Sequence, residues 1–188
     1  MDDVATTDLL ARAAGGDQAA WNGLVDRFGR LVWSVTRGFR LDSATAADVS
    51  QTVWLRLAEN CERIRDPERL AGWLATTARN ESLRVLRRTQ RDEPTEMLDD
   101  RPDVGAPVLD ERLLDDETLG EALDAFRQLS DDQQLLLRLL CADPPLGYER
   151  ISEITGRPVG SIGPTRARCL ERLRRLMDES ADNTKGGA

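Results

Sequence analysis

The residue type best placed to do recognition chemistry in this sequence is arginine. In the stretch from Gly147 to Leu176, GYERISEITGRPVGSIGPTRARCLERLRRL, the residues Ile162, Cys169, Leu170, Leu173 and Leu176 recur at helical spacing and form an apolar stripe. Arg166, Arg168, Arg172, Arg174 and Arg175 fall away from that stripe and give the predicted helix a basic face, which suits a helix lying in a DNA major groove. A second cluster, Arg79, Arg84, Arg87, Arg88 and Arg91, builds a basic edge on WLATTARNESLRVLRR. With few aromatics beside it, that edge suits tracking of a phosphate backbone more than extensive base stacking. Covalent chemistry has no comparable constellation. The sequence has no Gly-rich phosphate loop after a strand, no H-E-x-x-H, no G-x-S-x-G and no Cys/His pair, so no enzymatic activity and no cofactor is expected. Histidine is absent altogether, which excludes a zinc site of the usual Cys/His kind, and Cys61, Cys141 and Cys169 read as reduced, mostly buried thiols.

The arginine face at the C-terminal end needs two helices to hold it. The first is predicted over Tyr148 to Thr155, with Ile151 and Ile154 inward and Gly156 as a left-handed stop. A turn from Arg157 to Gly160 follows, and Ser161 is the expected N-cap of the second helix, which places Pro164 at N3, where no intrahelical N–H is lost. On spacing alone, a DNA-reading helix-turn-helix and a helical hairpin with solvated arginines stay equally open.

Further back, Thr7 or Asp8 is expected to cap a short helix ended by Gly15 and Gly16, and Asp17 to cap the next. There Trp21, Leu24, Val25, Phe28, Leu31, Val32 and Val35 mark one broad core face. Thr45 and Asp48 read as an acidic capping box opening AADVSQTVWLRLAEN, with Val49, Val53 and Leu57 inward, Asp48, Gln51 and Arg56 toward a polar side and Trp54 near its edge. Residues 61–72 read as a loop, Leu119 to Leu129 as another amphipathic helix, and Ser130 with Gln133 as a capping box for QLLLRLLC, which Asp143-Pro144-Pro145 ends. The class is all-α. No apolar run is long enough to cross a bilayer and the N-terminus lacks a secretory core, so a cytoplasmic protein without membrane insertion is expected.

A net charge of −8 argues against nucleic acid only until it is located. Between Asp92 and Glu117 eleven acidic residues stand against Arg101 and Arg112, a local charge of −9, which leaves the remainder at +1 with its positive charge gathered in the two arginine clusters. The same segment carries Pro94, Pro102, Gly105 and Pro107 and reads as a linker.

Taken in order, these stretches resemble a known family. Gly160-Ser161-Ile162 followed by an arginine-rich helix ending in LERLRRL is similar to region 4 of the extracytoplasmic-function (ECF) group of sigma-70 family RNA polymerase sigma factors, with Gly163, Pro164 and Thr165 standing where the family usually has a basic, a small polar and an arginine residue. DVSQTVWLRL resembles region 2.2, and the resemblance implies that Asp48, Gln51 and Trp54 bind core RNA polymerase, although on the residues alone Asp48 could equally only cap its helix and Gln51 face water. Trp73, Asn80 and Arg87 fit the W, RN and R positions of regions 2.3 and 2.4, with Arg84 in place of a customary acidic residue. The implied minus-10 contacts are Asn80, Arg84, Arg87 and Arg88, with one base flipped into a pocket of the preceding loop. The implied minus-35 contacts are Ser161, Thr165, Arg166, Arg168 and Arg172, chiefly Arg166 and Arg168.

The resemblance implies two small helical domains. Region 2 would span 1–91, the acidic flexible linker 92–118, region 4 with its helix-turn-helix 119–178, and a disordered tail 179–188. It implies core RNA polymerase, promoter DNA and an anti-sigma factor as partners, and promoter-directed transcription initiation as the function. A stand-alone helix-turn-helix regulator is the alternative, but it needs a dimer element or effector pocket that the N-terminal half does not clearly offer.

Overall fold

A computed structural model of the chain describes residues 5–39, 41–64, 66–92 and 117–185. Among them are eight α-helices and no strand: α1 (Thr6–Ala14), α2 (Gln18–Arg37), α3 (Ser43–Asn60), α4 (Leu70–Asp92), α5 (Glu117–Arg127), α6 (Asp131–Leu140), α7 (Tyr148–Thr155) and α8 (Val159–Lys185). Two 3₁₀ turns, Cys61–Arg63 and Pro67–Arg69, fill the stretch expected as a loop, so α4 begins at Leu70.

The N-terminal group is organised around α2. Its buried residues Ala20, Leu24, Phe28, Leu31, Val32 and Val35 keep steps of three and four and meet α1, α3 and α4. From α3 come Ala46, Val49, Val53 and Leu57, and from α4 Leu70, Leu74, Ala75 and Ala78. Truncating a fully enclosed side chain such as Leu24 would cost about 2–5 kcal/mol. Asp17 caps α2 as expected, accepting from the Ala19 and Ala20 N–H groups at 2.8 and 3.2 Å. Arg12 on the other side of the carboxylate, 2.7 Å away, holds Asp17 below its ordinary range.

Two expected caps are corrected. Helix α1 starts after Ala5 with no side-chain cap, so neither Thr7 nor Asp8 serves. Helix α3 is capped by Asp42, not by a Thr45–Asp48 pair. Asp42 accepts from the Thr45 N–H at 3.0 Å and from its hydroxyl at 2.5 Å, so Thr45 is already the N3 residue, one turn inside.

In the C-terminal group, Ser130 and Gln133 form the expected capping box of α6, and Gly156, at φ 72°, ends α7 in the left-handed region. The last helix differs from expectation. It begins at Val159, directly after Pro158, and the Ser161 hydroxyl donates back to the Pro158 carbonyl at 2.7 Å instead of capping, so Pro164 lies inside the helix. Gly160, four residues before Pro164, is where the proline ring would press on the preceding turn, and space beside it is open. At its far end α8 continues to Lys185, where an unordered tail from 179 was expected. Of the linker expected over 92–118, Asp92 belongs to α4 and Glu117 opens α5, while 93–116 lie outside the described residues. Cys61 and Cys169 are buried and Cys141 is exposed.

Candidate nucleic-acid interface

Three surfaces carry the residues singled out by the sequence. On α4, Asn80, Arg84, Arg87 and Arg88 are all exposed, and their steps of four, three and one residues place them on one side of the helix. The opposite side is packed: Ala75 and Ala78 are enclosed, and the buried Ser82 hydroxyl donates to the Ala78 carbonyl at 2.8 Å, satisfying itself within the helix. Glu81 sits between these faces, its side chain only 13% exposed. It binds Arg56 Nε of α3 at 2.8 Å and Arg84 Nη1 at 3.5 Å, and so fixes the base of the arginine row to the neighbouring helix. The sequence reading passed over Glu81, although its place three residues before Arg84 was a usable signal.

On α3, Asp48 and Gln51 are exposed on the side away from the core. Leu55 joins them, 58% exposed and seven residues after Asp48, which makes it a large apolar side chain left in water on a polar face. Trp54 does not join them. It is half-buried and meets Trp21 of α2 edge-on, with centroids 6.2 Å apart at 74°, so most of its ring serves packing.

On α8, Ser161, Thr165, Arg168 and Arg172 follow at steps of four, three and four and share one flank. Thr165 is turned inward, 8% exposed, where its hydroxyl accepts from Arg168 Nη2 at 3.2 Å. Its place between Ile162 and Cys169, both fully buried, foreshadowed this. Arg166 is exposed but lies about 140° round the helix from Ser161, at about 100° per residue. The five residues therefore do not form one surface: Arg168 and Arg172 stand together, and Arg166 stands apart. Helix α7 supports the turn before them, with the Ser152 hydroxyl donating to the Arg157 carbonyl at 2.5 Å and Arg157 Nη2 bound to Asp132 of α6 at 3.1 Å.

A cleft of about 360 Å³ opens where Cys61, Glu62 and Arg63 meet Ala13, Ala14 and Trp21. It is formed by the segment that precedes α4. Burial raises the Cys61 thiol pKa, with nearby Glu62 adding to the effect, so the cysteine there stays protonated. No helix of the described residues is long and apolar enough to cross a membrane.

Residues 24–92 match the Sigma-70 region 2 family. The ECF RNA polymerase sigma factor RpoE of Cereibacter sphaeroides is 30% identical over 175 residues, covering 86% of this chain and 88% of that protein. The structure of CnrH in complex with the cytosolic domain of CnrY superposes with a TM-score of 0.61 at 19% identity, covering 91% of this chain and 96% of CnrH. The sigma factor RpoE of Bartonella quintana, solved with the anti-sigma factor NepR, gives a TM-score of 0.55 at 24% identity over 79% of this chain and 92% of that one. Those two likenesses concern the fold, and the identity to the first relative over most of both chains carries the family. The chain belongs to the ECF subfamily of the sigma-70 RNA polymerase sigma factors.

Proposed function

We propose that this sigma factor divides its work among the three exposed surfaces. It directs transcription by RNA polymerase as its family does, and the polymerase carries all of the chemistry. Residues 1–91 act as region 2 and 119–178 as region 4, in the cytoplasm. The Asp48–Gln51–Leu55 face of α3 docks on core polymerase, with Leu55 supplying the apolar anchor that a polar face alone lacks and Trp54 stiffening the helix from behind. Asn80, Arg84, Arg87 and Arg88 of α4 track the minus-10 strand, and the cleft beside Glu62 and Arg63 receives the extruded base, whose exocyclic amine can donate to the Glu62 carboxylate. Ser161, Arg168 and Arg172 of α8 contact the minus-35 duplex with Arg166 on a neighbouring phosphate, and Thr165 acts by positioning Arg168.

The observation that carries this reading is the exposed row on α4, held from below by Glu81. One structural relative, RpoE of Bartonella quintana, was solved with an anti-sigma factor, and an anti-sigma factor is proposed here too. The acidic linker is proposed to follow the RNA exit path of the polymerase, so neutralising its charges changes abortive initiation and leaves promoter binding intact.

Run-off transcription with core polymerase tests the reading. The wild-type chain is expected to start RNA synthesis at a cognate promoter, and Arg87→Ala to reduce it at least tenfold without loss of polymerase binding. Tight sequence-specific promoter binding by the isolated chain, with no effect on polymerase, would instead establish a stand-alone regulator.

A further inference from the structure

The outward side of α8 carries a carboxylate among arginines. Ile162, Thr165, Cys169 and Leu176 are buried where α8 packs on α5, α6 and α7. Gly160, Pro164, Ala167 and Glu171 follow at steps of four, three and four and form one line, about 160° round the helix from that buried set at about 100° per residue. All four are exposed, and nothing lies within 4 Å of where a Cβ at Gly160 would stand. The first three bring no side chain larger than a proline ring, no side-chain donor and no charge. Glu171 is therefore the one side chain of the four able to form a hydrogen bond.

An exposed acid on a helix ordinarily pairs with a base three or four residues away. This chain does so repeatedly: Asp8 pairs with Arg12, Glu81 with Arg84, Asp124 with Arg127 and Glu153 with Arg150. Glu171 has Arg168, Arg174 and Arg175 at that spacing, yet among the described residues its carboxylate pairs with none of them. These arginines sit about 40–60° round the helix on either side of Glu171, so the acid stands between two basic flanks. A helix lying in a major groove turns its flanks to the phosphate walls and its outward line to the base edges. Arginines suit the walls, and a carboxylate is repelled there. On the outward line it is matched where a base offers a donor, and the major groove offers two, cytosine N4 and adenine N6. Adenine sets its N7 acceptor beside the amine, against the second carboxylate oxygen, whereas cytosine does not.

We propose that Glu171 is a specificity-determining residue that accepts from the N4 amine of a cytosine in the minus-35 duplex, and that Gly160, Pro164 and Ala167 let the helix approach closely enough for this contact. The proposal rests on the reading of α8 as the minus-35 helix and adds a base identity to it. The same charge acts against wrong sequences. Guanine presents only acceptors on that edge and thymine an acceptor and a methyl group, so a carboxylate set against either is left unpaired and repelled.

Holoenzyme assembled from the full chain and core polymerase is offered a promoter library randomised across the minus-35 element, and the bound sequences are counted. The wild type is expected to prefer cytosine at one position about fivefold or more over every other base. The side chain is exposed, so replacing it leaves the core of the C-terminal group intact. Glu171→Ala is expected to flatten that one position to within about twofold and to leave the others unchanged. Glu171→Gln is expected to move the preference to adenine, whose N6 and N7 an amide matches. Identical preferences in wild type and Glu171→Ala overturn the proposal. A uniform change in affinity, with no change of preference at any position, does so as well, because the carboxylate then acts only on phosphates or on the helix itself. Both outcomes leave the minus-35 reading of α8 standing. A wild-type holoenzyme that selects no minus-35 sequence overturns that reading and this proposal with it.

Discussion

Replacing Thr165 by valine separates a residue that touches DNA from one that aims another. Valine keeps the branched shape in a site that is 8% exposed, near Ile162 and Cys169, so the side-chain volume on α8 is kept. What is lost is the hydroxyl that accepts from Arg168 Nη2 at 3.2 Å. A hydrogen bond to a charged donor is worth about 1.5–3 kcal/mol when enclosed. Arg168 is exposed and water replaces much of that, so the loss is expected near 1 kcal/mol, about fivefold in promoter affinity. The assay is promoter binding by the polymerase holoenzyme in a double-mutant cycle of Thr165→Val with Arg168→Ala. If Thr165 only orients Arg168, the double variant binds no worse than Arg168→Ala alone. A full additional fivefold loss in the Arg168→Ala background would refute the positioning role and restore Thr165 as a direct contact.

Leu55→Glu should leave stability within about 0.5 kcal/mol, because the side chain is already 58% exposed, while weakening core polymerase binding at least tenfold in a pull-down titration. Ser130→Ala removes the hydroxyl that accepts from the Gln133 N–H and should cost about 1 kcal/mol, read as a fall of about 2–4 °C in the midpoint of a thermal melt. Asp42 is held below its ordinary value of 3.8, first by the Thr45 hydroxyl and then by the Thr45 N–H. A depressed folded-state value gives stability that is complete above 3.8 and lost as pH falls through the lowered one, so wild type and Asp42→Asn should melt apart at neutral pH and converge in acid.

Local chemistry explains what the sequence made legible. Helix α7 fell on its observed bounds because Gly156 alone relieves the left-handed stop, and the α6 cap was readable because Ser130 and Gln133 satisfy each other within three residues. The start of α8 was misplaced because a serine before an apolar run has two uses for its hydroxyl, and Pro158 made the backward one available. The α3 cap was misassigned for a related reason: Thr-x-x-Asp imitates a capping box, while Asp42 stood three residues earlier with Thr45 as its partner. Among the site residues, the α4 row was legible from spacing, whereas the inward turn of Trp54 depends on Trp21, a residue of another helix.

The position of Glu81 gives the N-terminal half a mechanical logic. On the proposed reading, α3 takes the polymerase face and α4 the DNA face, and opening a duplex requires that force on one reach the other without slack. The apolar contacts of Val53, Leu57, Leu74 and Ala78 set how close the two helices lie, but such surfaces tolerate sliding along the helix axes. The ion pair between the Glu81 carboxylate of α4 and Arg56 of α3 resists that sliding, while the other carboxylate oxygen meets Arg84 of its own helix. Because Arg84 is 74% exposed and Glu81 only 13%, the pair is anchored at its inner end and free at its outer one. Contact of Arg84 with a DNA phosphate would therefore compete for the arginine and leave the Arg56–Glu81 link in place, so the brace survives strand capture.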